Sequence, residues 1–289
     1  MKFAIFGNCF LEHKAKYMQR LLDVLSSQGT EFIIRQDFYE FLKRTVKISG
    51  RSEQVFADKT FTADMALSVG GDGTFLDTAQ WVGNKNIPIL GINTGRLGFL
   101  ADISPDNLEV TMRGIFRGEY TVENRSVLQV SLSEGTLSGS PFGLNEVAVL
   151  KHDSSSMISI RTSIDGEFLT NYRADGLIIA TPTGSTAYSL SVGGPILSPS
   201  SHTFCVSPVA PHSLNMRPIV ITDDQTIRLE VESRSRNFLL SVDGRSESIH
   251  QGVTLCVRRA PYDVKLVKRP HHEFFETLRN KMMWGADNR

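Results

Sequence analysis

Apolar and polar positions alternate with two different periods along the first part of the chain. Short apolar runs predict buried strands over 3–6, 31–34, 66–69 and 87–92. Between the first two runs, an apolar stripe over residues 17–25 has the spacing of an amphipathic helix. Strands that alternate with helices predict a parallel sheet with helices on its faces. We therefore expect an N-terminal α/β domain over residues 1–118.

The pattern changes near residue 119, where shorter runs with a period of two begin. Residues 226–232 alternate strictly between apolar and polar side chains, which is typical of an antiparallel strand with one face in water. Similar strands are predicted over 127–132, 157–164, 238–242 and 262–267. A loop or hairpin tip is predicted over 133–141. These features indicate a β-rich C-terminal domain over residues 119–260, built as a layered sheet or sandwich.

The last residues, 261–289, return to a helical period. Phe274, Leu278 and Met282 share one stripe, which predicts a helix over 271–284. We expect this helix and the strand before it to pack back on the first domain, with another subunit as the alternative.

Composition excludes several classes of protein. Of 289 residues, 31 are Lys or Arg and 31 are Asp or Glu, so no net field favours nucleic acid or an anionic membrane. The three cysteines show no Cys-x-x-Cys or Cys/His metal spacing, which argues against structural zinc. No apolar run approaches the roughly 20 residues of a membrane span, and no signal-peptide core is visible. We expect a cytoplasmic protein.

The candidate chemistry begins at a glycine-rich turn after the predicted strand 66–69. Residues 70–74 read Gly-Gly-Asp-Gly-Thr, and the helical spacing that follows places free backbone N–H groups at the turn. Asp72 puts a carboxylate where a phosphate is expected. A divalent metal between the two would explain this, as would a substrate hydroxyl facing Asp72. The alternative is an ordinary turn with Asp72 as a helix cap.

A second loop, rich in hydroxyl groups, follows the apolar run 176–180. Residues 181–189 contain five serines and threonines, which can hold a nucleotide together with backbone N–H groups. Tyr188 can lay its ring beside a base or a pyridine ring. The alternative is a polar surface loop before a capped helix.

An amide and a carboxylate, Asn145 and Glu146, interrupt an otherwise apolar stretch. Burying them is costly unless both are paired. Asn can read an adenine edge with a donor and an acceptor, and Glu can hold ribose hydroxyls. A strand-edge pair that faces water is the alternative.

Together these segments resemble the NAD kinase family over nearly the whole chain and in the expected order. Residues 70–74 are similar to the first family signature, 91–100 to the second, and Asn145-Glu146 to the paired Asn-Glu. The long family signature matches residues 175–189 with 193–195, and it is continued by Pro208, 211–214, 217–218 and Asp243-Gly244. An ordered series of signatures is far more specific than any one of them.

The resemblance implies transfer of the γ-phosphoryl group of ATP to the 2′-hydroxyl of the adenosine ribose of NAD, which forms NADP. It implies the α/β and β-rich domains predicted above, with NAD and ATP as substrates. It also implies a divalent cation, Mg²⁺ or Mn²⁺, and a homodimer or homotetramer. The protein ligands of the metal are unknown at this point.

Residue roles follow from the same resemblance. Asp72 is the catalytic residue, the proton acceptor for the 2′-hydroxyl. Because phosphoryl transfer depends mainly on positioning and charge neutralisation, we expect Asp72 to orient the hydroxyl and to accept its proton late. The residues expected to contact NAD are Asp72, Gly73, Asn145, Glu146, Arg173, Asp175, Thr183, Thr186, Ala187, Tyr188, Ser189 and Ser191. The residues expected to hold the ATP phosphates are Gly70, Gly71, Gly73 and Thr74. Asp243 is a further candidate near the metal or the ribose.

Asp77 departs from the family pattern, because many members carry a basic residue there. We expect a metal ion or Arg96 to neutralise phosphate near the turn instead. Three other functions stay open. A lipid kinase shares the Gly-Gly-Asp-Gly-Thr turn but does not need the loop over 175–191. A 6-phosphofructokinase has a similar turn, but its basic sugar-phosphate residues have no match here. A non-catalytic nucleotide sensor would bind NAD without turnover, which the intact Asp72 argues against.

Overall fold

The structure is a computed structural model that describes residues 1–7, 15–46, 54–95, 98–152, 156–270 and 274–283. The chain divides into two compact units, residues 1–124 with 264–289 and residues 125–263. The expected boundaries, after 118 and after 260, therefore differ from the observed ones by a few residues. The first shift arises because a strand over Thr121–Arg125 belongs to the sheet of the first unit.

Helices and strands are numbered in chain order. The helices are α1 (Ala15–Ser27), α2 (Gln36–Thr45), α3 (Asp72–Val82), α4 (Leu108–Phe116), α5 (Tyr188–Ser191) and α6 (Phe274–Met282). The strands are β1 (Lys2–Gly7), β2 (Glu31–Arg35), β3 (Gln54–Phe56), β4 (Met65–Gly70), β5 (Ile89–Asn93), β6 (Thr121–Arg125), β7 (Leu128–Leu132), β8 (Phe142–Gly143), β9 (Glu146–Lys151), β10 (Ile158–Ile164), β11 (Glu167–Ala174), β12 (Gly176–Ala180), β13 (Thr203–Val209), β14 (Ile219–Thr222), β15 (Ile227–Glu232), β16 (Asn237–Val242), β17 (Arg245–His250), β18 (Thr254–Arg259) and β19 (Val264–Lys268).

The first unit is built on a sheet that contains seven strands within the described residues, in the order β3-β2-β1-β4-β5-β19-β6. Its pairs from β3 to β19 are parallel, as the alternation of strands and helices predicted. Strand β4 is buried along its whole length, which explains its unbroken apolar sequence. Chain order reverses between β1 and β4, and ligands of such sheets bind beyond the carboxyl ends of strands at this point. The glycine-rich turn follows the carboxyl end of β4.

The second unit contains two antiparallel sheets, each with six strands among the described residues. One has the order β11-β10-β15-β18-β7-β8, and the other has the order β14-β13-β12-β9-β16-β17. The two sheets share one apolar core, to which Leu229 and Val231 of β15 contribute together with Val149 of β9 and Phe204 of β13. The predicted alternation over 226–232 is confirmed, since the apolar side chains of β15 are buried and the polar ones lie towards solvent. The predicted fold class, an α/β domain followed by a β-rich domain, is confirmed.

Three elements, α3, β19 and α6, differ in detail from the sequence prediction. Helix α3 begins at Asp72 rather than at Thr74, so Asp72 lies in the first turn of the helix. Strand β19, predicted over 262–267, pairs with β5 in the sheet of the first unit. Helix α6 covers Phe274–Met282 and ends one residue before Met283, which has a φ of +54°; residues 271–273 and 284 of its predicted span lie outside the described part of the chain. Across the described residues, no helix is long and apolar enough to cross a membrane.

Candidate active site

The glycine-rich turn connects β4 directly to α3. Gly71 precedes the helix, and its carbonyl accepts the N–H of Thr74 at 3.0 Å. A Cβ on Gly70 would overlap the Thr74 side chain, so close packing demands glycine there. Gly73 lies in the first turn of α3, where backbone N–H groups lack intrahelical acceptors. The predicted phosphate-binding residues are thus together at a helix N-terminus, which attracts anions.

The Asp72 carboxylate holds a loop of the same unit. One oxygen, Oδ1, accepts the N–H groups of Leu100 at 3.1 Å and Ala101 at 3.0 Å. The other, Oδ2, accepts the N–H of Phe99 at 2.9 Å. A Cβ on Gly98 would overlap this carboxylate, so the loop must carry glycine to approach it. We call this arrangement, Asp72 with the N–H groups of residues 99–101, the Asp72 clamp.

Other residues of the second signature shape the same loop. A Cβ on Gly91 would lie 2.6 Å from the carbonyl oxygen of Leu100, which requires glycine in β5. Asn93 is buried, and its side-chain amide donates to the carbonyl of Ala101 at 3.1 Å. The signature over 91–100 therefore serves, in its described residues, to fold a loop around Asp72.

Two cations lie beside the acidic residues of this region. The Nζ of Lys281 lies 3.5 Å from Oδ2 of Asp72. The Arg35 guanidinium pairs with Asp77, so Asp77 does not present an unpaired negative charge to a phosphate. The expected role of Arg96 falls outside the described residues. Sequence reasoning missed Arg35 and Lys281 because both lie far along the chain from the turn and belong to none of the quoted motifs.

A second carboxylate forms a matching arrangement in the second unit. Asp243 accepts the N–H groups of Leu144 at 2.7 Å, Asn145 at 2.8 Å and Glu146 at 3.1 Å. Its own backbone has a φ of +47°, in the turn before Gly244. We call these groups the Asp243 clamp. Like Asp72, Asp243 accepts three backbone N–H groups, and these contacts fix the backbone of the Asn-Glu pair.

Glu146 is buried next to this clamp. Its Oε2 atom has no hydrogen-bond partner within the described residues, while its carboxyl group accepts the backbone N–H of Tyr188. Burial raises the pKa of Glu146 to about 7, and the charge of Asp243 adds to the rise. An unpaired buried carboxyl oxygen is costly, which is typical of a site that awaits a ligand.

The hydroxyl-rich loop is bonded to the Asn-Glu pair. The Thr181 hydroxyl donates to the carbonyl of Leu144 at 2.6 Å, and the Thr181 N–H donates to the carbonyl of Asn145 at 2.9 Å. A Cβ on Gly184 would overlap the Asn145 carbonyl oxygen. The loop then turns on itself, with the Ala187 N–H bonded to the Gly184 carbonyl at 2.9 Å. Two segments that the sequence indicated separately are therefore one hydrogen-bonded structure.

Some predicted NAD residues are buried or partly buried and bond to other parts of the second unit. The Thr183 hydroxyl lies 3.4 Å from Nη1 of the buried Arg125, a cation that no motif had indicated. Thr186 bonds within the loop through the Thr183 carbonyl, at 3.3 Å. Ser189 is fully buried and bonds to the Ser207 hydroxyl at 3.2 Å. Ser189 therefore anchors α5 to β13.

The other predicted NAD residues lie nearer to solvent. Tyr188 is 38% exposed and Ser191 is exposed, whereas Asp175 pairs with Lys151 at 2.7 Å. Arg173 lines a groove of about 1150 Å³ in the second unit. Asn145, Glu146 and Tyr188 are not among the described residues that line this groove.

Comparison with known proteins gives matches along most of the chain. The family model described as ATP-NAD kinase N-terminal domain matches residues 3–120, and the model described as ATP-NAD kinase C-terminal domain matches residues 144–269. A protein named NAD kinase from Bacteroides fragilis (strain YCH46) is 58% identical, over 100% of both chains. A protein named NAD kinase from Cytophaga hutchinsonii is 40% identical, again over 100% of both chains.

Solved structures show the same fold. The crystal structure of yeast NADH kinase complexed with NADH has a TM-score of 0.90 at 23% identity and covers 100% of this chain and 89% of its own. An NAD kinase from Archaeoglobus fulgidus in complex with ATP has a TM-score of 0.75 at 27% identity, with 98% and 99% covered.

These matches make the chain a phosphotransferase. It belongs to the ATP-NAD kinase family, since both family models match and the relatives are similar along their full length. The predicted family and enzyme class are confirmed, and a lipid kinase and a 6-phosphofructokinase are excluded.

Proposed function

We propose that the chain transfers the γ-phosphoryl group of ATP to the 2′-hydroxyl of the adenosine ribose of NAD. The NADH complex of the yeast kinase and the ATP complex of the archaeal kinase support this choice of substrates. The observation that carries the proposal is the Asp72 clamp. It fixes a carboxylate in the first turn of α3, beside a cation and beside backbone N–H groups that attract phosphate.

Asp72 orients the acceptor hydroxyl in this proposal. A carboxylate has about four acceptor sites, and the backbone N–H groups of the clamp occupy three of them. The remaining acceptor site takes the 2′-hydroxyl and points its oxygen at the γ-phosphorus. As the new O–P bond forms and ADP leaves, the hydroxyl proton passes to Asp72 and then to water. The transition state is loose, so orientation contributes more than proton removal.

Asn145 and Glu146 hold the adenosine half of NAD. Within the described residues the side-chain amide of Asn145 makes no hydrogen bond, so its donor and acceptor are available for a base edge. The unpaired Oε2 of Glu146 is available to a ribose hydroxyl. Tyr188, partly exposed, adds an aromatic face beside them.

The divalent cation is proposed to arrive with ATP. Among the described residues there is no group of three or more His, Cys, Asp or Glu side chains that could hold a metal ion. This fits Mg²⁺, which is commonly bound by substrate phosphates and one or two carboxylates. When bound, the cation supplies charge neutralisation at the phosphates. A Cβ added to Gly71 or Gly73 would meet no atom within 4 Å, so the turn has space for a phosphate that carries the metal.

The test is NADP formation by purified protein with NAD, ATP and Mg²⁺, followed by an NADP-dependent dehydrogenase. We expect turnover with metal and none with excess chelator, while calorimetry shows NAD binding in both conditions. Full turnover in chelator would contradict the metal requirement. Tight NAD binding without turnover under any metal or donor would favour the nucleotide sensor.

Assembly and location are part of the same proposal. We propose a homodimer or homotetramer in the cytoplasm, where ATP and NAD are both abundant, on the strength of the family alone. Light scattering of the purified protein at several concentrations measures the assembly, and a monomer at all of them would contradict it.

A further inference from the structure

The last turn of α6 places a lysine against the Asp72 clamp. The Nζ of Lys281 is 3.5 Å from Oδ2 of Asp72, the oxygen that also accepts the N–H of Phe99. The same ammonium lies over the Phe99 ring, 4.4 Å from its centroid. Lys281 therefore contacts both the carboxylate and the loop that the carboxylate holds.

The C-terminal segment reaches the clamp at other points as well. The ring of Phe274, at the start of α6, lies 6.4 Å from the ring of Phe99. The strand before it, β19, ends at Lys268, whose buried ammonium bonds to the buried Asp102 carboxylate at 2.6 Å. Asp102 directly follows Ala101, the last residue of the clamp. The loop is thus fixed by Asp72 through its N–H groups and by the C-terminal segment through Phe99 and Asp102.

The negative charge of Asp72 explains why a cation beside it favours the binding of a polyphosphate. A polyphosphate that approaches the first turn of α3 meets the Asp72 carboxylate, and like charges repel more strongly as water is excluded. Arg35 does not offset this repulsion, because its guanidinium already pairs with Asp77 and Asp37. Lys281 is 32% exposed on its side chain, so it is accessible to a ligand while it contacts Asp72.

We propose that Lys281 is a positioning residue for phosphoryl transfer: it fixes the Asp72 carboxylate and cancels its charge where the donor phosphate approaches. Lys281 is then the one residue of the described part of α6 to which this role is given. This inference rests on the proposed NAD kinase reaction and on the role of Asp72 in it.

The ion pair between Lys281 and Asp72 contributes little to folding, so a positioning role can be told apart from a structural one. Both side chains are about a third exposed, and ion pairs of that kind add little to stability. Removal of the ammonium should therefore change turnover without a comparable loss of melting temperature.

The variants are Lys281→Met, Lys281→Gln and Lys281→Arg, with Arg279→Met as the matched control. Arg279 and Lys281 are both basic residues in the last turn of α6, so either change removes one cation from the same helix end. Arg279 is exposed and has no contact with Asp72 in the described structure. We expect kcat to fall roughly 10- to 100-fold in the Met and Gln variants, because the Asp72 charge then repels the donor phosphate where water is excluded. The KM for NAD should change by less than about threefold, and the Arg variant should recover most of the loss.

A double variant tests whether Lys281 acts through Asp72. In the Asp72→Asn background, measured at high enzyme concentration, Lys281→Met should lower kcat by less than about threefold, since the two changes remove one interaction. Additive losses would overturn the proposal. Wild-type kcat in Lys281→Met, failure of Lys281→Arg to rescue, or an equal loss in Arg279→Met would overturn it too. If the wild-type protein makes no NADP, the proposed function fails instead, and that result is seen before any variant is compared.

Discussion

The Asp72 clamp of the first unit and the Asp243 clamp of the second each hold three consecutive backbone N–H groups on one carboxylate. Their surroundings differ in charge and exposure. Asp72 is 30% exposed and has the Lys281 ammonium beside it. Asp243 lies against the buried Glu146 carboxyl, and burial raises the pKa of Asp243.

The difference shows that a carboxylate with three backbone N–H donors can have two different roles. A carboxylate that has a cation beside it and access to solvent is oriented and open to a substrate, as a group that touches the reacting atoms must be. A carboxylate that is buried beside another acid fixes the backbone and changes the protonation of its neighbour. The Asp243 clamp therefore shapes the Asn-Glu pair and adds to the rise that burial causes in the pKa of Glu146, whereas the Asp72 clamp presents its own carboxylate.

The largest expected effect is that of Asp72→Asn, which should lower kcat by about 10²–10⁴-fold, the usual range for loss of general base catalysis. Asparagine replaces one acceptor oxygen by a donor, so one N–H of the clamp also loses its acceptor. A loss of about 1–3 kcal/mol in the free energy of unfolding should accompany the kinetic effect. NAD affinity by calorimetry should be largely kept, since Asn145 and Glu146 are untouched.

Asp77→Asn is the matched control for that experiment. It removes a carboxylate from the same helix but leaves the clamp intact, and kcat should remain within about threefold of the wild type. Near wild-type turnover in Asp72→Asn would remove Asp72 from the chemistry and end the contrast between the clamps.

The mirror change, Asp243→Asn, should act on binding and stability rather than on turnover. It leaves one of the N–H groups of residues 144–146 without its acceptor, at a cost of about 1–3 kcal/mol in the free energy of unfolding. Because the same backbone positions Asn145 and Glu146, the KM for NAD should rise about 10-fold or more while kcat falls less than in Asp72→Asn. Asp263→Asn, which removes a partner of Arg259 in the same unit, is the control. Equal loss of kcat in both clamp variants would refute the division of roles.

Asn145→Ala tests the Asn145 side chain alone, because the Asp243 clamp still holds the backbone of that residue. The amide has no partner in the described structure, so its removal should leave the melting temperature unchanged. The loss of a hydrogen bond to a buried base edge should weaken NAD binding by about 1–3 kcal/mol, with ATP binding affected less. Calorimetry with each nucleotide measures this, and unchanged NAD affinity would place the adenosine pocket elsewhere.

The fold was predictable where the apolar pattern was long and regular. The fully buried β4 and the alternating β15 were both found from their periods. Helix α2 was missed although Phe38 and Leu42 are buried at helical spacing and Tyr39 and Phe41 pack against the same core. Helix α4 was missed as well, although Leu108 and Met112 of its sequence are buried at helical spacing.

The sequence motifs predicted which residues belong to the site, but not the contacts that these residues make. The sequence predicted a role for the turn glycines, but it did not show that Gly98 and Gly184 are required by close packing on Asp72 and on the Asn145 carbonyl. Lys281 and Arg125 belong to no recognised motif, and only tertiary structure brings them to Asp72 and Thr183. A sequence shows which groups carry chemistry but not which backbone N–H groups already occupy them.

The smallest expected effect is a pH dependence of NAD binding that the second clamp creates. Burial raises the pKa of Glu146 from 4.5 to about 7, so between these values the folded protein binds more protons than the unfolded chain. The free energy of unfolding contributed by this group is therefore greatest below about pH 4.5 and is lost as the pH rises through 7. Glu146→Gln, which cannot ionise, should show no such decline.

NAD affinity should rise with pH, because an ionised Glu146 carboxyl accepts a ribose hydroxyl better than a protonated one. One pH unit below the pKa about a tenth of the carboxyl is ionised, so NAD binding should be up to about tenfold weaker at pH 6 than at pH 8. The groups that face Glu146 are Asp243 and the Tyr188 N–H, and Asp243 itself faces Arg245 and Tyr262. Calorimetry with NAD alone at each pH measures the slope. An equal slope in Glu146→Gln would assign the titration to another group and remove the functional side of the contrast.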